Sequence, residues 1–141
     1  MKSVVICCSQ RFNDEITRFA ARLKSLGASV VLLPNFSGQT SEFLTLQERE
    51  RLTSDSYRRQ VATLVLQHFD RIRRADVCFV YNKGGYLGVN TTLELGFAHA
   101  LNKIIYALEP ENTAEFGGEL CREILYTDII RTPEELYEKL K

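Results

Sequence analysis

Short apolar segments alternate with amphipathic segments along the whole chain, and this alternation restricts the fold more than any other feature of the sequence. The apolar segments predict strands at residues 3–8, 29–33, 76–81, 103–108 and 124–127. The amphipathic segments predict helices at residues 14–26, 54–74, 92–101, 113–121 and 133–140. Strands that alternate with helices form a parallel sheet covered on both faces. With right-handed crossovers, we expect an α/β three-layer sandwich with about five parallel strands, flavodoxin-like or Rossmann-like.

Local signals mark some of these boundaries. Gly27 follows the first predicted helix and is expected to cap its C-terminal end. Thr132 and Pro133 are expected to open the last helix, as cap and first helical residue. Residues 34–53 show no clear periodicity, which is typical of a lid or a binding loop.

Length, composition and charge limit the kinds of partner. A chain of 141 residues with 45% apolar and 26% charged residues is expected to form a single domain over residues 1–141. Its 18 Lys and Arg residues balance 18 Asp and Glu residues, so we expect neither nucleic acid nor a membrane as a partner. The apolar run at residues 4–8 is too short for a signal peptide or a membrane span. We therefore expect a cytoplasmic protein that binds a small molecule.

The cysteines do not have the spacing of a metal site. Cys7 and Cys8 are adjacent, while Cys78 and Cys121 stand alone in a predicted strand and a predicted helix. Adjacent cysteines do not easily close a tetrahedral site, and cytosolic thiols stay reduced. We expect small buried side chains at these positions, and no metal or other cofactor.

A glycine-rich turn at residues 84–88 connects a predicted buried strand to a predicted helix that begins with a polar cap at residues 90–92. Glu94 falls in the first turn of that helix, near free backbone N–H groups. A carboxylate in this setting is expected to face a ligand. The alternatives are an ordinary phosphate-binding turn, or a glutamate that only stabilises the helix dipole.

The turn after the first predicted strand is rich in hydrogen-bond donors. Ser9, Gln10, Arg11 and Asn13 precede or open the next helix and outline an anion site. The alternative is a helix cap formed by Ser9 or Asn13. In an open parallel sheet, ligands bind beyond the carboxyl ends of the strands where the strand order reverses. We therefore expect this turn and Glu94 to share one pocket.

Three segments resemble the nucleoside 2-deoxyribosyltransferase-like family, which includes the deoxynucleoside 5′-monophosphate N-glycosidases: CCSQRF at residues 7–12, ADVCFVYN at residues 75–82 and ELGFAHALNK at residues 94–103. The resemblance implies cleavage or transfer at the N-glycosidic bond of a nucleoside or nucleoside 5′-monophosphate, with Glu94 as the nucleophile. The family's Gly-Ser-x-Arg turn, which holds the 5′-phosphate, corresponds to Cys8, Ser9, Gln10 and Arg11. Family members also form homodimers, so the same is expected here.

The chain departs from the family at two helper positions. His68 stands where members usually have an Asp in the helix before the third strand, with Asp70 two residues further on. Either side chain, or water, is a candidate to protonate the leaving base, although His68 on an apolar helix face is also typical of a core histidine. Gly88 replaces an Asp of the transferases and, with Asn90, is expected to line the sugar.

Three other interpretations remain open. A nucleotide-binding sensor or regulatory module without turnover would keep the pocket and lose the helper Asp. A weaker resemblance connects Gly84, Gly85 and residues 91–94 to the phosphoribohydrolases of the lysine decarboxylase-like group, whose signature is Pro-Gly-Gly-x-Gly-Thr-x-x-Glu. A flavodoxin-like redox domain would need a phosphate loop richer in Ser and Thr. For a homodimer, Phe97, Ala98 and Leu101 offer an apolar stripe, with core packing as the alternative use.

Overall fold

The computed structural model describes residues 1–36, 47–112 and 120–141. Its strands within these ranges are β1 (Val4–Cys7), β2 (Val31–Leu32), β3 (Val77–Val80), β4 (Ile104–Ala107) and β5 (Asp128–Ile129). Its α-helices there are α1 (Asn13–Ser25), α2 (Glu48–Thr53), α3 (Asp55–Arg74), α4 (Val89–Ala100), α5 (Leu120–Glu123) and α6 (Pro133–Leu140). Short 3-10 turns lie at Gln10–Phe12 and Lys83–Gly85.

The five strands form one parallel sheet in the order β2-β1-β3-β4-β5. Val4 at the start of β1 pairs with Val31 on one side and with Val77 on the other. The chain therefore first extends the sheet to one side of β1 and then to the other side, which places the reversal of strand order between β1 and β3. This arrangement confirms the expected α/β fold with a parallel sheet.

Alternating residues of the strands separate the core into two layers. Val4 and Ile6 of β1 belong to an apolar layer that packs against α1 and α6. Val5 and Cys7 point to the opposite layer, which packs against α3 and α4. Because successive side chains of a strand point to opposite faces, a single strand supplies both layers.

The predicted helix ends are confirmed at both marked positions. Gly27 adopts a φ of 108°, which favours glycine, and its N–H donates to the Lys24 carbonyl at the end of α1. The Thr132 hydroxyl accepts from the Glu135 N–H at 3.2 Å, and Pro133 is the first residue of α6.

Two predicted elements need correction. The strand expected at residues 124–127 is wrong, since β5 lies at Asp128–Ile129 and Ile124 instead continues the turn after α5, with its N–H donating to the Leu120 carbonyl. Ile124 is exposed, so an apolar residue there does not mark a buried strand. The helix expected from residue 92 begins at Val89, and its N-cap is Gly88 rather than a polar side chain.

Other predictions fall partly outside the described ranges. In the segment expected to be a loop, residues 47–53 contain the short helix α2, while residues 37–46 lie outside the described part of the chain. Most of the helix predicted at residues 113–121 also lies outside it. None of the helices in the described ranges combines the length and the apolar character that crossing a bilayer requires.

Candidate active site

A cleft of about 600 Å³ opens at the carboxyl edge of the sheet, beside the reversal of strand order. The turn after β1, residues 34–36 after β2, the inner face of α3 and the first turns of α4 form its walls. Seven of the residues singled out from the sequence line it: Cys8, Ser9, Gln10, His68, Gly88, Asn90 and Glu94. The structure therefore brings Glu94 and part of the donor-rich turn to the same cleft.

Glu94 lies in the second turn of α4, one turn further into the helix than predicted, because α4 begins at Val89. Its side chain is only 13% exposed, and its Oε2 atom has no hydrogen-bond partner among the described residues. Burial raises the pKa of the carboxyl group to about 8, and a hydrogen bond from the Cys7 thiol offsets part of that increase. With nothing bound, the carboxyl group is therefore mostly protonated at pH 7.

His68 projects from α3 into the inner end of the cleft and is buried. Its Nε2 atom lies 3.8 Å from Glu94 Oε2 and 3.4 Å from Cys7 Sγ. Burial, together with the positive charge of Arg71, lowers the pKa of the imidazole to about 4. His68 is therefore neutral at pH 7. Its side chain is buried, although part of it lines the cleft.

Cys7 is the residue that sequence reasoning missed. It ends β1 on the layer that packs against α3 and α4, and its Sγ atom lies 3.5 Å from Cys78 Sγ as well as beside His68. The pKa of the Cys7 thiol is raised well above its usual value. The larger cause is the hydrogen bond with Cys78, and the second is burial. Strand alternation predicts which face Cys7 occupies, but nothing local in the sequence indicates that His68 lies opposite it.

The turn after β1 contributes Cys8, Ser9 and Gln10 to the cleft. The Ser9 hydroxyl accepts from the Arg11 N–H at 3.4 Å and so caps the 3-10 turn at Gln10–Phe12, as the capping interpretation expects. Burial raises the pKa of the Cys8 thiol, so this group stays protonated. The turn thus offers a hydroxyl and an amide to a ligand, in a wall otherwise formed by an uncharged thiol.

Three predicted site residues do not line the cleft. Arg11 is exposed, and its guanidinium carbon lies 3.5 Å from the ring centroid of Tyr86, since the 3-10 turn directs it away from the cleft. Asn13 is also exposed, as the first residue of α1. Asp70 forms an exposed ion pair with Arg74 at 3.1 Å, because two residues along a helix lead to the opposite face from His68.

Of the three glycines in the turn before α4, only Gly88 lines the cleft. Gly84 and Gly85 adopt positive φ angles of 67° and 77°. A Cβ atom on Gly85 would lie 2.4 Å from the Cβ atom of Asn112, so this glycine is required by close packing within the protein. The first part of the glycine-rich turn therefore packs against the protein itself, and Gly88 is its glycine beside the cleft.

The first turn of α4 presents backbone donors beside Gly88 and Asn90. The first backbone N–H groups of any α-helix lack partners within the helix, and here the Thr92 N–H is the first to donate back, to the Gly88 carbonyl at 3.0 Å. These groups carry partial positive charge, which favours polar or anionic ligand groups. The opposite wall is apolar, formed by Tyr57, Val61 and Leu64 of α3 and by Phe36.

Comparisons with known proteins bear on the fold. Neither the family models nor the curated proteins gave a match to this chain. A conserved protein from Enterococcus faecalis V583 has a similar structure, with a TM-score of 0.63 and 13% identity over 99% of this chain and 97% of the other. A 2-deoxyribosyltransferase from the psychrotolerant bacterium Bacillus psychrosaccharolyticus gives a TM-score of 0.59 and 16% identity, over 96% and 90% of the two chains.

A third similar structure is the CMP N-glycosidase BcmB from Clostridium botulinum, with a TM-score of 0.50 and 20% identity over 98% of both chains. At these identities the similarity concerns the fold. It extends over nearly the full length of all three structures, and two of them carry names that match the resemblance found in the sequence. The chain therefore has the fold of the nucleoside 2-deoxyribosyltransferase-like proteins.

Proposed function

We propose that this protein cleaves or transfers at the N-glycosidic bond of a nucleoside or nucleoside 5′-monophosphate. The observation that carries the proposal is the position of Glu94, a buried carboxyl group with an unpartnered oxygen in a cleft that also contains the turn after β1. The fold supports it, since a 2-deoxyribosyltransferase and a CMP N-glycosidase share the fold.

In the proposed reaction, an ionised Glu94 oxygen attacks the anomeric carbon of the sugar. A carbon–oxygen bond forms while the bond from the sugar to the base nitrogen breaks, and the base leaves with the electron pair of that bond. Positive charge builds up on the sugar during this step, and a carboxylate about 3 Å away stabilises it before the bond forms. Water or a second base then releases the sugar from Glu94, as in retaining glycosidases.

Two protons must move in this reaction. Glu94 is mostly protonated in the free protein, so it must lose its proton before it attacks. Water in the cleft accepts that proton, because the imidazole of His68, with a pKa of about 4, is a much weaker base than the Glu94 carboxylate. The departing base in turn takes up a proton from water.

The chemistry of the residues that line the cleft supports a proposed position for each part of the substrate. Ser9, Gln10 and the open N–H groups of α4 bind the 5′-phosphate or 5′-hydroxyl. Gly88 and Asn90 lie against the sugar, next to Glu94. The apolar wall that α3 and Phe36 form holds the base, because a planar ring gains most from contact with apolar and aromatic side chains.

A binding module without turnover is the second candidate. The observation that favours it is that, among the described residues, Glu94 is the only Asp, Glu, Lys or Arg side chain in the lining of the cleft. Arg11 instead lies against Tyr86, and Asp70 is paired with Arg74. Calorimetry distinguishes the two candidates. A nucleotide that binds and is recovered intact after long incubation supports the module, and release of free base supports the enzyme.

We also propose that the protein forms a homodimer through α4. Two residues of the predicted stripe pack within the protein instead. Ala98 is buried, and the ring centroid of Phe97 lies 4.4 Å from that of Phe69 in a stacked arrangement. Val89 and Leu93 are four residues apart on one face of α4, and they are 80% and 56% exposed. Exposed apolar side chains of this kind suit an interface with a second copy.

The cytosol remains our proposed location. Cys7 and Cys78 lie with their sulfur atoms 3.5 Å apart and are free thiols. Closely spaced thiols of this kind are kept reduced in the cytosol.

The proposal is tested by measuring free base released from a panel of nucleosides and nucleoside 5′-monophosphates. We expect Glu94→Gln and Glu94→Ala to lower the rate by at least about a thousandfold, because each removes the attacking oxygen. The matched control is Glu138→Gln, an exposed surface residue paired with Lys141, which is expected to keep the wild-type rate. An undiminished rate in Glu94→Gln would remove Glu94 from the chemistry.

A further inference from the structure

Three side chains of the types that bind transition metals in proteins lie close together at the inner end of the cleft. Cys7 comes from β1, His68 from α3 and Glu94 from α4, and all three are buried or nearly so. One ligand atom of each lies within 4.8 Å of the others, and no other group of three such side chains lies among the described residues. We propose that Cys7, His68 and Glu94 form a binding site for a thiophilic divalent cation, represented by Zn²⁺, and that the bound cation blocks the cleft.

The distances suit a tetrahedral ion. Zinc holds sulfur at about 2.3 Å and nitrogen or oxygen at about 2.0–2.2 Å, so neighbouring ligand atoms in a tetrahedral site lie roughly 3.3–3.6 Å apart. Cys7 Sγ lies 3.4 Å from His68 Nε2, and His68 Nε2 lies 3.8 Å from Glu94 Oε2. The third pair, Cys7 Sγ and a Glu94 carboxylate oxygen, lies within 4.8 Å. An ion held by all three atoms would draw this pair closer by at most about 1.2 Å.

The chemistry of the donors also suits zinc. Thiolate, imidazole and carboxylate are its usual protein ligands, whereas Mg²⁺ prefers oxygen ligands alone. The imidazole is already neutral at pH 7, so one ring nitrogen has a lone pair for a metal, and this nitrogen is Nε2 in the tautomer with the proton on Nδ1. Glu94 Oε2 has no hydrogen-bond partner among the described residues, so no existing bond must break there. Cys7 and Glu94 each lose a proton when the ion binds.

Three protein ligands leave the fourth position of a tetrahedral ion open. Glu94 and His68 both line the cleft, so this position faces the substrate volume and is filled by water. An ion held there would occupy the Glu94 oxygen and the His68 nitrogen. The proposed blocking of the cleft rests on the proposed function, because it predicts that the metal inhibits base release. The proposed binding site does not depend on any activity.

Calorimetric titration of the chelator-treated protein with ZnCl₂ tests the site. We expect one ion per chain with a dissociation constant below a micromolar, and no heat from MgCl₂ under the same conditions. Titrations in buffers of different ionisation enthalpy are expected to show between one and two protons released per ion at pH 7. Co²⁺ is expected to produce the absorption band that a cobalt–thiolate bond gives.

Variants then identify the ligands. Cys7→Ala and His68→Gln are each expected to weaken Zn²⁺ binding by at least about a hundredfold, and Cys7→Ala to abolish the cobalt band. The control is Cys121→Ser, which removes an exposed thiol and is expected to bind zinc as the wild type does. Circular dichroism shows whether each variant is folded, and Glu94→Gln, which conserves shape, provides a third ligand test. Wild-type affinity in Cys7→Ala, or no binding tighter than about 100 μM in the wild type, would overturn the site.

Base release measured with and without Zn²⁺ tests the blocking effect. We expect inhibition that follows the calorimetric binding curve and is reversed by EDTA. Unchanged or faster release at saturating Zn²⁺ would overturn the blocking effect and leave the site in place. If the wild type releases no base at all, the proposed function fails, while the calorimetry still decides the metal site.

Discussion

The two layers of the core are built from the same strands but differ in chemistry. On the side of α1 and α6, Val4 and Ile6 of β1 pack with Phe79 of β3 and with aromatic residues of α1 and the following loops. On the side of α3 and α4, the neighbouring residue Cys7 meets His68 and Glu94. The buried part of the first layer is mostly apolar, with Cys8 and Tyr106 as its titratable side chains, whereas the second layer brings three titratable groups together at its cleft end.

The difference shows that one layer mainly stabilises the fold, whereas the other contains the candidate site. Burial of large side chains such as Ile6 and Phe79 is the main favourable contribution to folding. Burial of Glu94 opposes folding whenever that group is ionised, as the raised pKa shows. The layer facing α1 and α6 therefore supports the fold, and the cleft end of the other layer tolerates groups that chemistry needs.

The largest expected effect on stability comes from Ile6, and its neighbour Cys7 is the matched comparison. We expect Ile6→Ala to lower the free energy of unfolding by about 2–5 kcal/mol, because it leaves a cavity in the fully buried apolar layer. Cys7→Ala removes one sulfur atom beside the cleft and is expected to cost only about 1 kcal/mol. Urea unfolding monitored by circular dichroism measures both. Equal losses would show that the two layers contribute alike.

A second prediction concerns the pH dependence of stability. The folded pKa of Glu94, about 8, lies above its ordinary value of 4.5, so its contribution to stability is complete below pH 4.5 and is lost as the pH rises through 8. We expect Glu94→Gln to escape this loss and to be more stable than the wild type at pH 9 by up to about 5 kcal/mol, since one pKa unit corresponds to about 1.36 kcal/mol.

Unfolding at pH 5, 7 and 9 measures this difference. Ile6→Ala is the control, because a change in the apolar layer is expected to shift the stability equally at each pH. His68 acts with the opposite sign, since its lowered pKa of about 4 makes the protein less stable as the pH falls from 6.5 to 4. Parallel curves for the wild type and Glu94→Gln would contradict the burial of an uncompensated carboxyl group.

The smallest effect is expected at Arg11, which covers the ring of Tyr86 on the side of the apolar layer. Arg11→Ala should change the free energy of unfolding by about 1 kcal/mol or less, the usual range for an exposed cation–π contact. We expect nucleotide affinity to stay within about threefold of the wild type, while Gln10→Ala, in the cleft wall, weakens it more. Isothermal titration compares the two. A larger loss for Arg11→Ala would show that Arg11 leaves Tyr86 to bind the ligand.

Much of the fold could be predicted from the sequence because buried parallel strands are short apolar runs. The runs at β1, β3 and β4 are each bounded by polar or turn residues, and the predicted strands contain the observed ones. The last strand could not be located in this way. Residues 124–127 begin with Ile124 in an apolar pattern, but a helical turn after α5 exposes it, and pairing with β4 starts at Asp128.

The site could be predicted in part. The rule that ligands bind at the carboxyl edge of a parallel sheet is sufficient to join Glu94 to the turn after β1. The same rule does not predict which way a single side chain points. The direction of the Arg11 side chain depends on a 3-10 turn, and that of Asp70 depends on how α3 is rotated about its axis. The meeting of Cys7 with His68 depends on the packing of α3 on the sheet, between residues far apart in sequence.

The most direct measurement of the central claim is the identification of the sugar bound to the protein. A nucleotide that is turned over by the wild type is mixed with it, the reaction is quenched in acid, and the digested protein is analysed by mass spectrometry. We predict that the peptide containing Glu94 gains the mass of the sugar portion without the base, and that Glu94→Gln shows no such gain. Base release with the sugar on a different residue would contradict the account.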